Sequence, residues 1–338
     1  MTSQDLLIAR IKQLSEEEIS TLLNATSVML EKHGASSKPD CPYCGSQNII
    51  RYGHKCSKQR FLCRDCGRTF TTTTHTVMSH SHFPPEVWAE VIEDTLHGNS
   101  IDYTARRLGL YHQATFDMRH KILMALKQMP ETGNICLGEV SELDETFVLD
   151  CYKGKPLDGD ISRKPRKHGA KAEKRGISSE YICICSGIQR NGAAYAAAVN
   201  RAKPDAEELR AVFTGHIADA TLILCDGLRS YNILPTIADC AVKDCSKMAE
   251  DEKCFYHLNT VNGFHSFIKS RYHFYRGVAT KYLNRYNTLF SAAYRNVASL
   301  IKQVRHCWRL AGSITTIATK RLAKSACWRF NFNNLFTD

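Results

Sequence analysis

The chain has 338 residues, enough for two or three domains and for at least one sizeable hydrophobic core. Its 45 Lys and Arg residues outnumber the 34 Asp and Glu residues, and the formal net charge of +11 predicts an anionic partner, with nucleic acid as the first candidate. No segment approaches the roughly 18 apolar residues of a membrane-spanning helix, and no secretion signal is recognisable. The sequence therefore predicts a cytoplasmic protein without a membrane partner.

The beginning of the chain predicts a helical arm followed by a zinc ribbon. Residues 1–36 carry apolar residues at helical intervals, which indicates an N-terminal helical arm. Two C-x-x-C pairs, Cys41 with Cys44 and Cys63 with Cys66, are separated by 18 residues, and a glycine follows each pair and permits a tight turn. This spacing predicts a zinc ribbon over residues 37–78, with one structural Zn²⁺ held by the four thiolates. His54 and Cys56 lie in the spacer and are not expected to be ligands.

The ribbon is also basic. A structural zinc site by itself indicates only that the metal stabilises a fold whose hydrophobic core is too small to do so. Basic side chains in the spacer and just after it add the expectation of a surface that faces DNA phosphates, and its residues would be Arg51, Arg60 and Arg68.

Residues 82–130 predict three successive helices with a helix-turn-helix at their centre. Ala105 is small enough for close helix contact, Gly109 permits the turn, and a further helix follows from Ala114 to Leu123. The second helix of such a unit offers its N-terminal side chains to the major groove. We expect Gln113, Thr115 and Arg119 to face DNA. A generic three-helix bundle is the alternative interpretation of the same pattern.

Residues 136–300 predict an α/β domain with the ribonuclease-H-like order of elements. A strand over 137–149 is followed by a hairpin of strands 181–189 and 193–199 around Asn191-Gly192, an amphipathic helix over 204–217 and a buried strand over 221–225. In that fold the first and fourth strands are neighbours. The whole chain is therefore expected to be multidomain, with the ribbon and the helical unit preceding an α/β catalytic domain.

Two carboxylates end up on those neighbouring strands. Asp144 lies in the first strand and Asp226 directly follows the fourth, so we expect them to share metal ions at one edge of the sheet. Two Mg²⁺ or Mn²⁺ ions ~3.5–4 Å apart can activate a hydroxyl and stabilise the departing oxygen of a phosphodiester. A later helix beginning near Leu258 would place Asn262 as a third oxygen ligand and Lys269 as a cation for phosphate or for the bound DNA end.

The segment from Lys153 to Arg175 is basic and contains glycine but no apolar periodicity. A solvated loop and a flexible phosphate clamp are equally compatible with it. The residues of such a clamp would be Lys164, Arg166, Lys167, Lys171, Lys174 and Arg175. Residues 301–338 contain no motif and are treated as a C-terminal tail of unknown role.

Other patterns were weighed beside the acidic pair. Strand alternation predicts that Glu142 shares the face of Asp144 and could support it, whereas Glu145 points away. A second zinc site is a weaker possibility because the spacing of its residues is irregular; they would be Cys240, Cys245, Cys254 and His257. No Gly-rich phosphate loop, serine elbow or dinucleotide fingerprint is present, so no nucleotide cofactor is expected.

Taken in order, these motifs resemble the bacterial insertion-sequence transposases of the ISXO type. The resemblance rests on the ribbon, the helix-turn-helix and three segments, Leu-Asp144-Glu-Thr-Phe, Cys-Asp226-Gly-Leu-Arg-Ser-Tyr231 and His257-x-Asn-x-x-Asn262-x-x-His-Ser-x-Ile-Lys269. It covers the chain from about the first cysteine pair to about residue 295. By matching positions, Asp144 and Asp226 are the first two acids of a DDE-type site, Asn262 stands where most relatives have Glu, and Lys269 matches the lysine that follows.

The resemblance implies a bacterial, nucleoid-associated enzyme that binds the terminal inverted repeats of a mobile element, cleaves there and transfers 3′-OH ends to target double-stranded DNA. It implies catalytic Mg²⁺ or Mn²⁺ and a homo-oligomer assembled on DNA. The neutral Asn262 leaves open a domesticated, inactive DNA-binding regulator as the alternative. A structure-selective nuclease on the same fold is a third possibility.

Overall fold

The computed structural model describes residues 39–55, 58–153, 172–190 and 192–294. Outside this part of the chain lie the predicted arm, the predicted tail and four residues of the predicted clamp, Lys164, Arg166, Lys167 and Lys171. The described residues form two compact units, 39–74 and 75–294. Each is considered by itself.

Residues 39–74 form the predicted ribbon. An antiparallel sheet of three strands contains β1 (Ile49–Lys55), β2 (Lys58–Cys63) and β3 (Thr69–Thr71) in that order. Its core consists of two cysteines and three apolar side chains, Cys41, Cys63, Ile49, Phe61 and Phe70. So few buried side chains cannot offset the conformational entropy of the unit, which is why such a fold depends on a cross-link or a metal.

Helices occupy the first part of the second unit. They are α1 (Pro85–Leu96), α2 (Ile101–Leu108), α3 (His112–Gln128) and the single turn α4 (Pro130–Gly133). The side chain of Ser100 accepts a hydrogen bond from the Tyr103 amide and begins α2, and Gly109, with φ of 63°, ends it in the left-handed conformation expected of glycine there. Three successive helices are therefore present where the sequence predicts them, and the helix-turn-helix stays a prediction beside the three-helix bundle.

A mixed sheet of five strands follows. The strands are β4 (Val140–Leu149), β5 (Tyr181–Gln189), β6 (Ala194–Arg201), β7 (Thr221–Cys225) and β8 (Cys240–Asp244), and they lie side by side in the order β6-β5-β4-β7-β8. The β4–β5 and β5–β6 pairs are antiparallel, whereas β4–β7 and β7–β8 are parallel. The first and fourth strands of this domain are thus neighbours, as predicted for the ribonuclease-H-like order.

Both faces of the sheet are covered. On one face, α5 (Ala206–Phe213) and the 3₁₀ segment Arg229–Thr236 pack over Leu143 and Ile223. The predicted helix over 204–217 is shorter than expected at both ends. Asp205 forms a capping box with Glu208 and starts the helix at Ala206, and Gly215, with φ of +78°, lies just after its end at Phe213. On the other face lie α6 (Asn259–Phe274) and a helix over 283–294, named α7.

The predicted helical unit and the predicted catalytic domain share one core. Leu123 and Leu126 of α3 belong to the same buried cluster as Ile182 and Ile184 of β5 and Phe264 of α6. The described residues from 82 to 294 are therefore one compact unit and not the two predicted domains, 82–130 and 136–300. Within the described part of the chain, no helix has the length and apolar character needed to cross a membrane.

Candidate active site

The two aspartates meet at an open edge of the sheet. β4 and β7 are paired only from Val140 to Glu142, because β7 ends at Cys225. Asp226 follows immediately, beside the unpaired continuation of β4 that carries Asp144. Carboxylate oxygens of Asp144, Glu145 and Asp226 lie within 4.8 Å of one another. The predicted pair is thus brought together, with a third acid that the sequence interpretation placed elsewhere.

The position of Glu145 corrects the prediction that it points away from the site. Strand alternation does put Asp144 and Glu145 on opposite faces, but β4 has no β7 neighbour beyond Glu142. Side chains from both faces can therefore reach the space past the end of β7. The hydroxyl of the buried Tyr231 donates to Glu145 and holds its carboxylate there.

The cluster has the electrostatics of a cation site. Burial raises the pKa of Asp144 to about 6, and the charge of Asp226 adds to the rise. Burial likewise raises the pKa of Glu145 to about 7, and the charges of Asp144 and Asp226 contribute. Asp144 and Glu145 are disfavoured in their ionised forms, and such a cluster fits a divalent ion, because oxygen ligands suit Mg²⁺ and Mn²⁺ and the positive charge of the ion offsets the repulsion.

Gly227 fixes the turn that follows Asp226. Its φ is +83°, and a Cβ at this position would lie 2.5 Å from Cγ of Asp244 at the end of β8. Asp244 is itself held by an ion pair of 2.7 Å to Lys247 and by hydrogen bonds from Ser246. The chain must therefore pass close to β8 in a conformation that favours glycine.

The substitution Gly227→Ala is expected to misplace Asp226. The clash with Asp244 and the positive φ together cost roughly 1–3 kcal/mol. Displacement of a reacting group by about 1 Å can lower a rate on the order of 100-fold, so a reaction that depends on Asp226 should slow by that order. The double variant Gly227→Ala with Asp244→Ser should recover part of the rate, because it removes the clash and leaves only the strain. Equal rates for the wild type and Gly227→Ala would contradict this account.

Helix α6 carries the remaining predicted site residues. Val261, Phe264 and Ile268 form its buried stripe as predicted, and Asn262 and Lys269 are exposed. The charge of Lys269 lies close enough to Asp144 to lower the pKa of that carboxyl, against the effect of burial. Asn262 is one turn before His265, whose Nδ1 is 3.7 Å from Oδ2 of Asp144. The helix thus faces the acidic cluster along the side that carries His265 and Lys269.

Glu142 holds the start of α6 in place. Its carboxylate accepts hydrogen bonds from the amides of Thr260 and Val261, at 2.8 and 3.0 Å, and from the Thr260 hydroxyl. Arg190 donates to it at 2.8 Å. A strand residue therefore caps a helix that has no side-chain cap of its own. Glu142 was predicted to support Asp144, and the contacts show that it anchors the neighbouring helix instead.

His265 was missed by the sequence interpretation. The residue is 5% exposed, and burial lowers its pKa to about 4, with the charge of Lys269 contributing. Its Nε2 lies 2.5 Å from the hydroxyl of Ser186 on β5. The only indication in the sequence is its spacing, three residues after Asn262 and four before Lys269, which places all three on one face of a helix.

The four cysteines of the ribbon converge as predicted. The sulfurs of Cys41 and Cys66 are 3.6 Å apart, as are those of Cys44 and Cys63, and all four lie within 4.8 Å of one another. Tetrahedral zinc with bonds of about 2.3 Å requires sulfurs about 3.8 Å apart, so the donor set fits Zn²⁺. A backbone N–H of Cys66 donates to the Cys63 sulfur and lowers its pKa to about 7, which favours the thiolate.

The substitution Cys44→Ser, or chelation of zinc, is expected to unfold residues 39–74. Structural zinc contributes roughly 10–16 kcal/mol in comparable small folds, and the core of this unit has only five members. Amide hydrogen exchange should show protection lost in the ribbon and kept in residues 75–294, with zinc content falling by one ion per chain. The matched control is Cys136→Ser, at an exposed cysteine. Persistent protection of the ribbon without zinc would contradict the prediction.

Two of the residues predicted to face DNA on α3 lie in the interior. Thr115 is 0% exposed and donates through its hydroxyl to the Tyr111 carbonyl, and Arg119 is 1% exposed. The reason is that α3 is covered by the sheet domain as well as by α1 and α2, as the contact between His120 and Arg285 of α7 illustrates. Only Gln113 of the three is exposed, at the start of α3.

The other basic residues predicted to contact DNA lie at the surface where they are described. Arg51, Arg68, Lys174 and Arg175 are exposed. Arg60 is half-buried and lies over the ring of Tyr52, as Arg68 lies over that of Tyr43. The residues weighed as a second zinc site do not converge, since the described part of the chain contains no metal-type cluster that includes Cys240, Cys245, Cys254 or His257.

Comparison with known proteins finds a domain family whose matched region includes this site. Residues 137–296 match the model of the ISXO2-like transposase domain. An uncharacterised protein in transposable element ISH50 of Halobacterium salinarum is 25% identical over 195 residues, which cover 57% of this chain and 64% of that protein. The chain thus spans less than two thirds of the length of this relative.

Two solved structures of the Mos1 transposase are similar only at a low level. A pre-cleavage Mos1 transpososome gives 14% identity and a TM-score of 0.24, covering 69% of this chain and 82% of that one. A paired-end complex with the left transposon end gives 13% identity and a TM-score of 0.23, covering 66% and 79%. The matched region contains Asp144, Asp226, Asn262 and Lys269, so residues 137–296 of this chain are similar to the ISXO2-like transposase domain.

Proposed function

We propose that this chain is a transposase, which cleaves phosphodiester bonds at the inverted-repeat ends of a mobile element and transfers the 3′-OH ends to target DNA. The observation that carries the proposal is the convergence of Asp144 and Asp226 from separate strands to within 4.8 Å at an open edge of the sheet. An edge site of this kind is accessible to a polymer, which a closed pocket would exclude. Lys269 next to the acids supplies a positive charge for the DNA backbone.

Each residue has a distinct part in this proposal. Asp144 lies between Asp226 on one side and α6 on the other, so its carboxylate is the group that two ions would share. Asn262 offers an amide oxygen on the α6 side, and Lys269 binds a phosphate of the DNA strand. Two Mg²⁺ or Mn²⁺ ions, when bound, would activate the attacking hydroxyl and stabilise the leaving oxygen. Tyr231 keeps Glu145 oriented towards the same space.

Double-stranded DNA is the proposed partner, contacted by the ribbon with its bound Zn²⁺ and by exposed basic residues. Arg51, Arg68, Lys174 and Arg175 are exposed, and Gln113 lies at the open end of α3. Because two element ends must be cut and joined together, we propose a homo-oligomer assembled on DNA.

The direct test is a joining assay with the full chain, labelled DNA carrying the element's ends, and Mg²⁺ or Mn²⁺. Cleaved ends that become covalently joined to a target plasmid support the transposase proposal. Cleavage without joining would indicate a nuclease, and binding without cleavage would indicate the regulator that the neutral Asn262 suggests.

Asn262 can be tested by three substitutions. Asn262→Asp keeps an oxygen donor and adds charge, Asn262→Glu does so with a longer side chain, and Asn262→Ala removes the donor. We expect Asn262→Ala to lower joining the most, on the order of 10–100-fold, because one ligand of a metal is lost. Gel assays of the joined product measure the effect. The ligand assignment is wrong if Asn262→Ala is the best tolerated of the three.

A further inference from the structure

A buried histidine lies against the acidic cluster without a role in the proposed chemistry. His265 follows Asn262 by one turn of α6, is 5% exposed, and directs Nδ1 towards Oδ2 of Asp144 at 3.7 Å. That separation is too long for a hydrogen bond. The Nδ1 atom therefore faces the metal-binding carboxylate without bonding to it.

The hydrogen bonds of Ser186 determine which nitrogen of His265 carries the proton. The Ser186 hydroxyl donates its only hydrogen to the backbone carbonyl of Asp144 at 3.0 Å. Towards Nε2 of His265, 2.5 Å away, the same oxygen can only accept. These two contacts together assign the proton of His265 to Nε2, so that in the neutral ring Nδ1 presents a lone pair.

A cation can bind between a nitrogen lone pair and a carboxylate oxygen that face each other. Two ligand atoms bound to one ion at roughly 2.0–2.2 Å stand roughly 3–4 Å apart, which is the separation found between Nδ1 and Oδ2. His265 is not a member of the group formed by Asp144, Glu145 and Asp226. It lies on the α6 side of Asp144, where the second of two ions would be bound. The Ser186 contact fixes the ring orientation, as partners of ligating histidines usually do.

We propose that Nδ1 of His265 is a ligand of the ion that Asp144 shares on the α6 side, and that the resulting nitrogen and oxygen site prefers Mn²⁺ to Mg²⁺. The inference rests on the proposed function, because it presupposes metal at Asp144. Imidazole suits transition metals, whereas Mg²⁺ selects oxygen. A nitrogen ligand also offsets the weak donor strength of the neutral Asn262 beside it.

The test is Mn²⁺ binding by the full, zinc-loaded, tag-free chain, measured by electron paramagnetic resonance with electron spin-echo detection of ¹⁴N bonded to the ion. The wild type should show ¹⁴N modulation. His265→Gln keeps a donor for Ser186 but no ligand at Nδ1, so the modulation should vanish and one Mn²⁺ should bind at least about 10-fold more weakly. His265→Asn places an oxygen near the Nδ1 position, so binding should persist without ¹⁴N modulation and with less preference for Mn²⁺ over Mg²⁺. His273→Gln, at an exposed histidine of the same helix, is the matched control.

The outcomes separate this inference from the proposed function. If Asp144→Asn leaves Mn²⁺ binding unchanged, the metal site itself and the proposed function fail. If Asp144→Asn weakens binding but the wild type shows no ¹⁴N modulation, or His265→Gln retains it, only the role of His265 is overturned. Circular dichroism of both His265 variants establishes that they are folded, and either variant suffices for the comparison.

Discussion

Replacing Asp144 by Asn is expected to lower cleavage and joining by about 10³-fold or more. The substitution keeps the shape of the side chain and removes the charge that two divalent ions would share. Metal stabilisation of the transition state is worth several kcal/mol, and each 1.36 kcal/mol is a factor of ten in rate. Asp226→Asn should have a similar effect, since its carboxylate lies in the same cluster. Gel analysis of element-end DNA with Mn²⁺ or Mg²⁺ measures both.

Although Asp144→Asn should lower activity, it should raise the stability of the metal-free protein. Burial and the charge of Asp226 raise the pKa of Asp144 to about 6, so its ionised form is disfavoured in the folded state. Asn at this position carries no charge, and the free energy of unfolding near neutral pH should rise by about 1–2 kcal/mol after allowance for partial exposure.

The matched control is Asp251→Asn, at an exposed aspartate away from the cluster, which should change neither property. Loss of activity with increased thermal stability would distinguish removal of a metal ligand from damage to the fold. An Asp144→Asn protein that joins DNA at the wild-type rate would refute the catalytic assignment.

The sequence could predict those features that depend on local pattern. Asn191-Gly192 between apolar runs predicts the β5–β6 hairpin, and the C-x-x-C pairs predict the ribbon. The adjacency of Asp144 and Asp226 follows from the order of elements, because in this topology the first and fourth strands are neighbours. These expectations hold since each rests on a turn, a ligand spacing or a connection rule rather than on detailed packing.

The features that could not be predicted depend on where elements end and what covers them. The carboxylate of Glu145 lies with those of Asp144 and Asp226 because β7 stops at Cys225 and leaves one edge of β4 open. The alternation of side chains along β4 does not reveal where β7 ends. Thr115 and Arg119 are buried because α3 packs into the core of the sheet domain, whereas the sequence pattern suggested an independent unit. The contacts of Glu142 and His265 join residues 118 and 79 positions apart in the chain, beyond the reach of local pattern.

Replacing Glu142 by Gln is expected to destabilise residues 75–294 by about 3–5 kcal/mol. The carboxylate of Glu142 is buried, with 0% exposure, and it accepts hydrogen bonds both from Arg190 and from the backbone of the first turn of α6. A neutral amide removes the negative charge that pairs with Arg190 and offers only one oxygen to several donors, and loss of one charge of a buried ion pair costs an amount of that order. For a unit of this size the melting temperature should fall by roughly 10 °C, measured by differential scanning calorimetry.

Joining activity should fall in the same variant even at temperatures where it is folded. Glu142 fixes the N-terminal turn of the helix that carries Asn262 and Lys269, and a shift of about 1 Å in such groups lowers rates on the order of 100-fold. Glu207→Gln is the control, because it also breaks an ion pair, with Arg210, but at the exposed end of α5 where such pairs contribute little. If Glu142→Gln and Glu207→Gln unfold at the same temperature and join DNA equally well, β4 does not anchor α6 through this carboxylate. A stability loss with full activity would instead show that α6 keeps its position without the cap, and that the alignment of Asn262 with Asp144 is set by the packing of Val261, Phe264 and Ile268.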